Sequence, residues 1–445
     1  MTEEDTSGGY TPGRATRFYV PLLIQTFSQC LTYPLVAAIV SRGPMGIDVL
    51  TAFAQGQTVM FLIGAVGSGL VMTGMVFARS VAGYRNFIRF NAYMMLCLLA
   101  VQAICGLPPF DRLIFQDLLN LPAEMASIAR DTLLWGIPLQ ATFFTRNVPL
   151  VILFNARASS AANNATFVRI LLTVVATYLF VHMGWTGAMC GLAAMTVPCF
   201  AELLLTYVFS RPHVRVLRED PGAEPISSQF RFTVPLSLGG VLLAAAPFMV
   251  ATFVGRTENA VEMLAIHYVT IGLANAVGFA ALRFQAVSIQ FPPEYAGDHR
   301  IMRYAICAGI VLGAVILLSA IPAVDDWYFH VVQGLPVADL GKVRIVMAIY
   351  AAWPVLQTIR GHAEGIAAVE RMPAAVMAGQ VAYLAMLVAT LALALKAGMQ
   401  GWLMGAIAIL VATAATIVSI YGTLGWAKVR SSSRRCPAPT NRTRH

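Results

Sequence analysis

Charge is what this sequence has least of. Only 11% of its 445 residues are Asp, Glu, Lys or Arg, and just 21 are acidic. A soluble domain needs about 25% charged residues to face water, so a water-soluble globular fold is excluded. Disulfide and zinc chemistry are excluded on similar grounds. The seven cysteines, at 30, 97, 105, 190, 199, 307 and 436, include no C-x-x-C pair, and most sit in apolar runs where Cys packs as a small hydrophobe. No G-x-x-x-x-G-K-[ST] occurs, so P-loop nucleotide hydrolysis is absent too. The opening "MTEEDTSGG" has neither the basic start nor the cleavage site of a secretory signal, so the first apolar run is expected to be retained.

What is present is oil. Hydrophobic residues make up 58% of the chain and the mean hydropathy is +0.71. Apolar runs longer than about 20 residues recur along it, which is the signature of membrane-spanning helices. The pattern predicts an all-α polytopic membrane protein with about twelve spans. They group into a tail over 1–16, a six-helix bundle over 17–210, a linker over 211–230, a second bundle over 231–427 and a basic tail over 428–445. Arg42, Arg112, Arg130, Arg256, Lys342, Arg344 and Lys396 fall in one set of connections, and Arg146, Arg283 and Arg360 inside spans. The remaining Lys and Arg gather at the termini and in the alternate connections, so the positive-inside rule puts both termini in the cytoplasm. The net charge of +9 therefore reads as a topology signal and an attraction to anionic lipid, not as a nucleic-acid surface.

The chain also repeats itself. "RFYVPL" at 17–22 returns as "RFTVPL" at 231–236, a shift of 214 residues. The same shift pairs Arg42 with Arg256, Asp111 with Asp325, Arg130 with Arg344, Gly184 with Gly398 and Tyr207 with Tyr421. One coincidence carries nothing; a constant register over most of the chain indicates duplication. Two halves of the same orientation imply an axis along the membrane normal, the arrangement of transporters with a site between parallel bundles.

Two six-helix halves of this size resemble the superfamily of multidrug and toxic-compound extrusion (MATE) transporters, lipid-linked oligosaccharide flippases and the lipid II flippase. Within it the chain resembles the progressive ankylosis family of pyrophosphate and organic-anion exporters. Four stretches carry that likeness: "RFYVPL", "FVGRTENAVEMLA" at 253–265, "FPPE" at 291–294 and "WPVLQTIRGHAEG" at 353–365. The resemblance implies a MATE-like fold, alternating access between the halves and export of a multivalent anion.

The candidate site residues are the ionisable groups placed in spans. An Arg at bilayer centre costs about 2.5–3.5 kcal/mol, so it is retained facing a cavity or a partner. Arg360 and its repeat mate Arg146 are expected to grip the two ends of an anion bidentately, with Arg283 admitting it and His362 beside it. Pro354, Gly361 and Gly365 are expected to weaken the helix around Arg360. Arg360 and Glu364, four apart, also fit a structural ion pair on one helix face. Glu364 and Glu202 are the carboxylates available for ion coupling. Asp48 and Glu262, repeat mates each near an outer-loop arginine (Arg42 and Arg256), read as outer gates or helix caps. "GAVGSG" at 64–69 reads as close helix packing.

These readings converge on a secondary transporter that exports an organic or phosphate-bearing anion, acting as a monomer in a bacterial inner membrane. It is expected to be no enzyme and to need no metal or cofactor. H+ or Na+ would be the coupling ion, and lipid the only other partner. The alternatives are a flippase for an anionic lipid-linked precursor and a proton- or sodium-coupled multidrug exporter.

Overall fold

A computed structural model describes residues 10–43, 47–119, 121–220, 224–295, 298–332 and 335–433. The acidic start of the chain and the last basic residues of the tail lie outside it. The first half contains α1 (Pro12–Val40), α2 (Ile47–Gly64), α3 (Leu70–Phe77), α4 (Val81–Cys105), α5 (Ala123–Trp135), α6 (Ile137–Asn155), α7 (Ser159–His182) and α8 (Ala188–Arg215). The second contains α9 (Ile226–Ala244), α10 (Ala246–Val254), α11 (Ala260–Leu282), α12 (Phe284–Gln290), α13 (Arg300–Leu318), α14 (Leu340–Tyr350), α15 (Trp353–Val369), α16 (Pro373–Lys396) and α17 (Gly401–Ser433). Among the described residues the only strand-like pairing is a single bridge between Ser80 and Arg218.

Among the described residues ten helical segments are long and apolar enough to cross a membrane, which makes this a multi-pass membrane protein. The expected spans over 18–40 and 340–368 are helical as well, as α1 and the α14–α15 pair, but stand outside those ten. In the second case the helix breaks at Ala351–Ala352 and the longer piece carries Arg360 and Glu364.

Helix ends follow local chemistry. Thr11 accepts a hydrogen bond from the Arg14 N–H at 3.3 Å with Pro12 in the first turn, which starts α1. Ser80 starts α4 in the same way. Gly184 (φ 72°) and Gly398 (φ 68°), the pair picked out by the repeat, each follow a long helix in the left-handed region that a side chain resists. Arg157 and Arg371, a further pair 214 apart, both sit at φ 55°.

The repeat is also visible in the side chains. Arg344 Nε meets Asp325 Oδ2 at 2.6 Å, and their mates Arg130 and Asp111 stand 3.9 Å apart. Each acid enters a short π-helical turn, Leu113–Leu118 or Asp326–Val332, at the face away from the start of α1. The predicted helix weakening around Arg360 is not found. Pro354 lies in the first turn of α15, where a missing N–H costs nothing. Gly361 and Gly365 lie in continuous helix, where a Cβ would stand 2.9 Å from Leu282 O and 2.5 Å from Ser288 Cβ. They are there for close packing of α15 on α12.

Each half has its own apolar core: Phe53, Met60, Leu133 and Met195 are among the first half's, and Ile266, Met347, Tyr350 and Leu387 among the second's. A third cluster joins them at the face where α1 begins (the terminal face), with Phe18, Tyr19 and Leu22 packed among Phe284, Val287 and Phe291. Along this seam α1 packs on α11, and α9 packs on the break between α2 and α3. Tyr19 donates to Ala281 O at 3.1 Å, and the Thr73 and Thr233 hydroxyls meet at 2.7 Å. "GAVGSG" forms that break, with Ala65–Gly67 as a tight turn.

Candidate functional site

Two cavities open along the seam. The first, about 330 Å³, is lined by Gln25, Phe61, Gln140, Phe143, Arg146 and Asn147 of the first half together with Arg283 of the second. The other, about 370 Å³, has Thr26, Cys30, Phe143, Arg169 and Cys199 on one side, and Phe279, Leu282, Arg283 and Gln285 on the other. Arg283 and Phe143 belong to both. These sizes suit small organic molecules, whose sites run to about 300–1,000 Å³.

Three guanidiniums thus reach the cavity walls, and no carboxylate is among the residues lining them. Glu202 stands behind, with no exposed surface. Its Oε2 takes Arg146 Nη1 at 2.5 Å and Arg169 Nη1 at 3.2 Å. Its Oε1 accepts from the Thr166 hydroxyl, which in turn accepts from Gln25 Nε2 at 3.0 Å. The four helices α1, α6, α7 and α8 each contribute to this network, and Pro149 lies inside α6 one turn beyond Arg146. Two cations, the half-buried Arg146 and the buried Arg169, share this one carboxylate.

Arg283 sits where α11 meets α12. Its Nε donates to Thr26 Oγ1 across the seam at 3.3 Å, and it makes no ion pair among the described residues. An intramembrane guanidinium answered only by a hydroxyl is costly unless something anionic visits it.

The repeat shows how the second half differs. The mates of Gln25, Thr166, Arg169 and Glu202 are Gly239, Gln380, Tyr383 and Thr416. Only the mate of Arg146 keeps its charge, and Arg360 is 3% exposed. Its Nε meets Glu364 Oε1 at 2.8 Å, and its guanidinium lies 5.7 Å from the Tyr383 ring centroid. Here the counter-charge comes from the next turn of the same helix, one anion for one cation. The Gln380 amide fills the space beside Gly239 where Gln25 has its side chain in the first half: a Cβ there would stand 1.2 Å from Gln380 Oε1, which would have to swing away.

The expected site is therefore divided. Arg146 and Arg283 share a cavity, but Arg360, Glu364 and His362 lie inside the second half and line neither cavity. His362 Nδ1 is 2.6 Å from the Tyr421 hydroxyl. At the opposite face, Glu262 pairs with Lys342 and not with Arg256, which is exposed and lies over Phe253 at 5.7 Å. Glu262 occupies the first turn of α11, facing the start of α14 where Lys342 also meets Asp339 at 2.8 Å. Arg42 is exposed, and the Asp48 side chain lies outside the described residues. Sequence reasoning missed Arg169. It follows the polar "NNAT" and reads as part of a span entrance, yet it lies mid-way along α7 and is 3% exposed. Its signal was the spacing of 33 residues to Glu202, which nothing in one sequence distinguishes from chance.

No protein-family profile matches the chain, and no curated protein matches it in sequence. Solved structures do match it in fold. A MOP superfamily transporter from Pyrococcus furiosus superposes with a TM-score of 0.69 at 15% identity, covering 97% of this chain and 99% of that one. The Vibrio cholerae MATE transporter VcmN gives 0.73 at 13% identity over 95% and 97%. The eukaryotic MATE transporter AtDTX14 gives 0.66 at 15% identity over 95% and 98%. The chain has the fold that these solved MATE and MOP superfamily transporters share.

Proposed function

We propose that this protein is a secondary transporter that exports an organic or phosphate-bearing anion across the bacterial inner membrane by alternating access, with both termini cytoplasmic. The observation that carries the reading is Arg283: it lines both seam cavities, beside Arg146 in one and Arg169 in the other, with no carboxylate on either wall. Guanidinium binds carboxylate or phosphate through two parallel hydrogen bonds, and an anion arriving there supplies the missing counter-charge. Glu202 holds Arg146 and Arg169 in place while the cavity is empty, and a substrate anion competes with it for Arg146. A cation, by contrast, meets three positive groups.

The likeness of "WPVLQTIRGHAEG" and its companion stretches to the progressive ankylosis family supports an anionic cargo. The Pyrococcus furiosus transporter is described as having a binding pocket of reverse polarity that suggests a different function, so the fold accommodates more than one cavity charge. Coupling to H+ or Na+ would act through Glu202, the buried carboxylate nearest the cavities.

The test is efflux from liposomes of citrate, pyrophosphate, nucleotides, a cationic dye and a labelled polyprenyl pyrophosphate. Soluble-anion efflux that is lost on Arg283→Gln is the expected result. Anion efflux indifferent to that change overturns the site. Movement of the dye alone makes the protein a multidrug exporter, and movement of the polyprenyl pyrophosphate alone makes it a flippase.

A further inference from the structure

On the outer flank of the seam, a further cavity of about 230 Å³ lies between α4 of the first half and α9 of the second. We propose that it is a binding site for an anionic phospholipid, with an acyl chain lodged in the cavity and the headgroup phosphate on Arg89 and Arg231 at its mouth. The site is independent of what the other two cavities carry.

Lining and position point to the same occupant. Val66, Phe90 and Met94 wall one side, Phe230, Leu238 and Val241 the other, and no charged residue is among those lining the space. The Thr233 hydroxyl, also on the wall, is already bonded to Thr73 and to Gln229 O. Phe230 and Leu238 are exposed, so in a bilayer the opening meets acyl chains and not water. From Phe230 to Val241 is about 16 Å along α9 at 1.5 Å per residue. That is close to one leaflet's share of the roughly 30 Å hydrocarbon core. Both α4 and α9 start at the terminal face, where Asn86 Nδ2 donates to Glu224 O at 3.0 Å. The headgroup end of the cavity is therefore the one where the Phe90 and Phe230 rings meet edge to face at 6.5 Å. Arg89 and Arg231 adjoin these two rings in sequence and are both exposed. Arg231 also shares a helix face with the wall residues Val234 and Leu238, three and seven positions on. Basic side chains at this depth attract anionic headgroups, and a guanidinium can take a phosphate through two hydrogen bonds.

The repeat supplies a control within the chain. The mates of Thr233, Ser237 and Val241 are Tyr19, Leu23 and Phe27, and those of Phe90 and Phe230 are Tyr304 and Thr16. On that opposite flank the protein's own rings take the place. Tyr19 is buried, with its ring 6.5 Å from that of Tyr304. The Tyr304 hydroxyl donates to Thr16 Oγ1 at 2.9 Å and ties α13 to α1. One frame, repeated, is closed by Tyr19 on one flank and left open by Thr233 on the other, so the cavity is not a consequence of the fold. Because α4 and α9 belong to different halves, a lipid held between them joins the halves at the terminal face. The alternating access proposed above would then respond to the anionic lipid content of that leaflet.

The test is the thermal unfolding midpoint of the full-length protein, delipidated in a neutral detergent and titrated with phosphatidylglycerol or with phosphatidylcholine. Phosphatidylglycerol is expected to stabilise the wild type saturably, and at lower concentration than phosphatidylcholine. Arg89→Gln and Arg231→Gln should each raise its half-saturating concentration by about fivefold, the worth of one basic residue against an anionic lipid surface, and leave the phosphatidylcholine response as it was. Val241→Phe, which puts the repeat mate's ring into the cavity, should abolish the saturable response. If that variant does not purify, Ser237→Leu fills the same space with the mate of its own position. Arg303→Gln, an exposed arginine on α13 and the mate of Arg89, should change nothing. No saturable stabilisation by phosphatidylglycerol overturns the proposal. So does a response that the cavity-filling variant retains, which assigns it to lipid elsewhere on the surface. A response equal for the two lipids and unmoved by both Gln variants overturns it as well, as does equal stabilisation by glycerol phosphate, which has the headgroup charge without the chains.

Discussion

The Arg157 guanidinium lies over the Phe291 ring across the seam, 4.4 Å from its centroid, and 214 residues on Arg371 lies over Phe77 at 5.2 Å. Phe77 and Phe291 are themselves repeat mates, so one contact has been made twice, in opposite directions between the halves. Asn155 reinforces the first, taking Gln290 Nε2 on its Oδ1 at 3.0 Å and donating to Ala78 O at 3.1 Å. Under the alternating access proposed above the halves would part at each face in turn, and these contacts would break as the terminal face opens.

Phe77→Ala and Phe291→Ala should therefore favour opening there. A cation–π contact worth about 1 kcal/mol corresponds to roughly a fivefold shift in the open population. A cysteine placed at Ala78, which is fully buried, in a background lacking the native cysteines, should react correspondingly faster with a soluble thiol reagent. Unchanged labelling in both variants would show that the rings do not hold this face shut.

Glu202 should matter for stability more than any other intramembrane acid. Removing it takes away the carboxylate that Arg146 and the buried Arg169 both hold, and breaking such a pair costs about 3–5 kcal/mol. The unfolding midpoint of Glu202→Ala should fall steeply, and Arg169→Met in the same chain should restore much of it. A double variant no better than the single would mean that the two arginines do not share the carboxylate as their distances of 2.5 and 3.2 Å indicate.

The Arg360–Glu364 pair predicts the opposite pattern. Both side chains are about 4% exposed, so either single loss strands a charge in the second half's interior. Replacing both, as Arg360→Met with Glu364→Leu, should be close to neutral in unfolding midpoint and should leave anion efflux intact. Efflux lost in the double variant would return Arg360 to the substrate site.

The halves, their register and most of the buried charges could be read from the sequence because each leaves a one-dimensional mark. Apolar runs give the spans, a constant shift gives the duplication, and an Arg in oil announces itself. What could not be read was partnership. Arg360 has a carboxylate four residues away in its own helix, but Arg146 finds its counter-charge 56 residues on in α8, and only the packing of α6 on α8 reveals it. The same holds for Glu262, whose partner Lys342 lies 80 residues away while Arg256 is six before it. Sequence proximity favoured Arg256; helix direction decided for Lys342. Arg169 was hidden by its polar neighbours, although it is buried against Glu202 at 3.2 Å.

The last expectation concerns pH. Asp298, in the connection between α12 and α13, is gripped by Arg300 through Nε to Oδ1 and Nη2 to Oδ2, both at 2.9 Å. Those bonds hold its carboxyl below the ordinary value of 3.8, with burial opposing them and the backbone N–H groups of Arg300 and Glu294 assisting. A depressed folded-state pKa contributes stability that is fully present above the unfolded value and is lost as pH falls through it toward the folded one. The contribution reaches across the seam, because Arg300 also stacks on Tyr10 and pairs with Glu294, which accepts from the Tyr10 N–H. Asp298→Asn should therefore lower the unfolding midpoint near neutral pH. The gap to the wild type should narrow as the pH is brought from about 7 to about 3, because the unfolded chain's carboxylate takes up its proton in that range before the folded one does. A gap constant over that range would assign the effect to hydrogen-bond geometry alone and not to the charge.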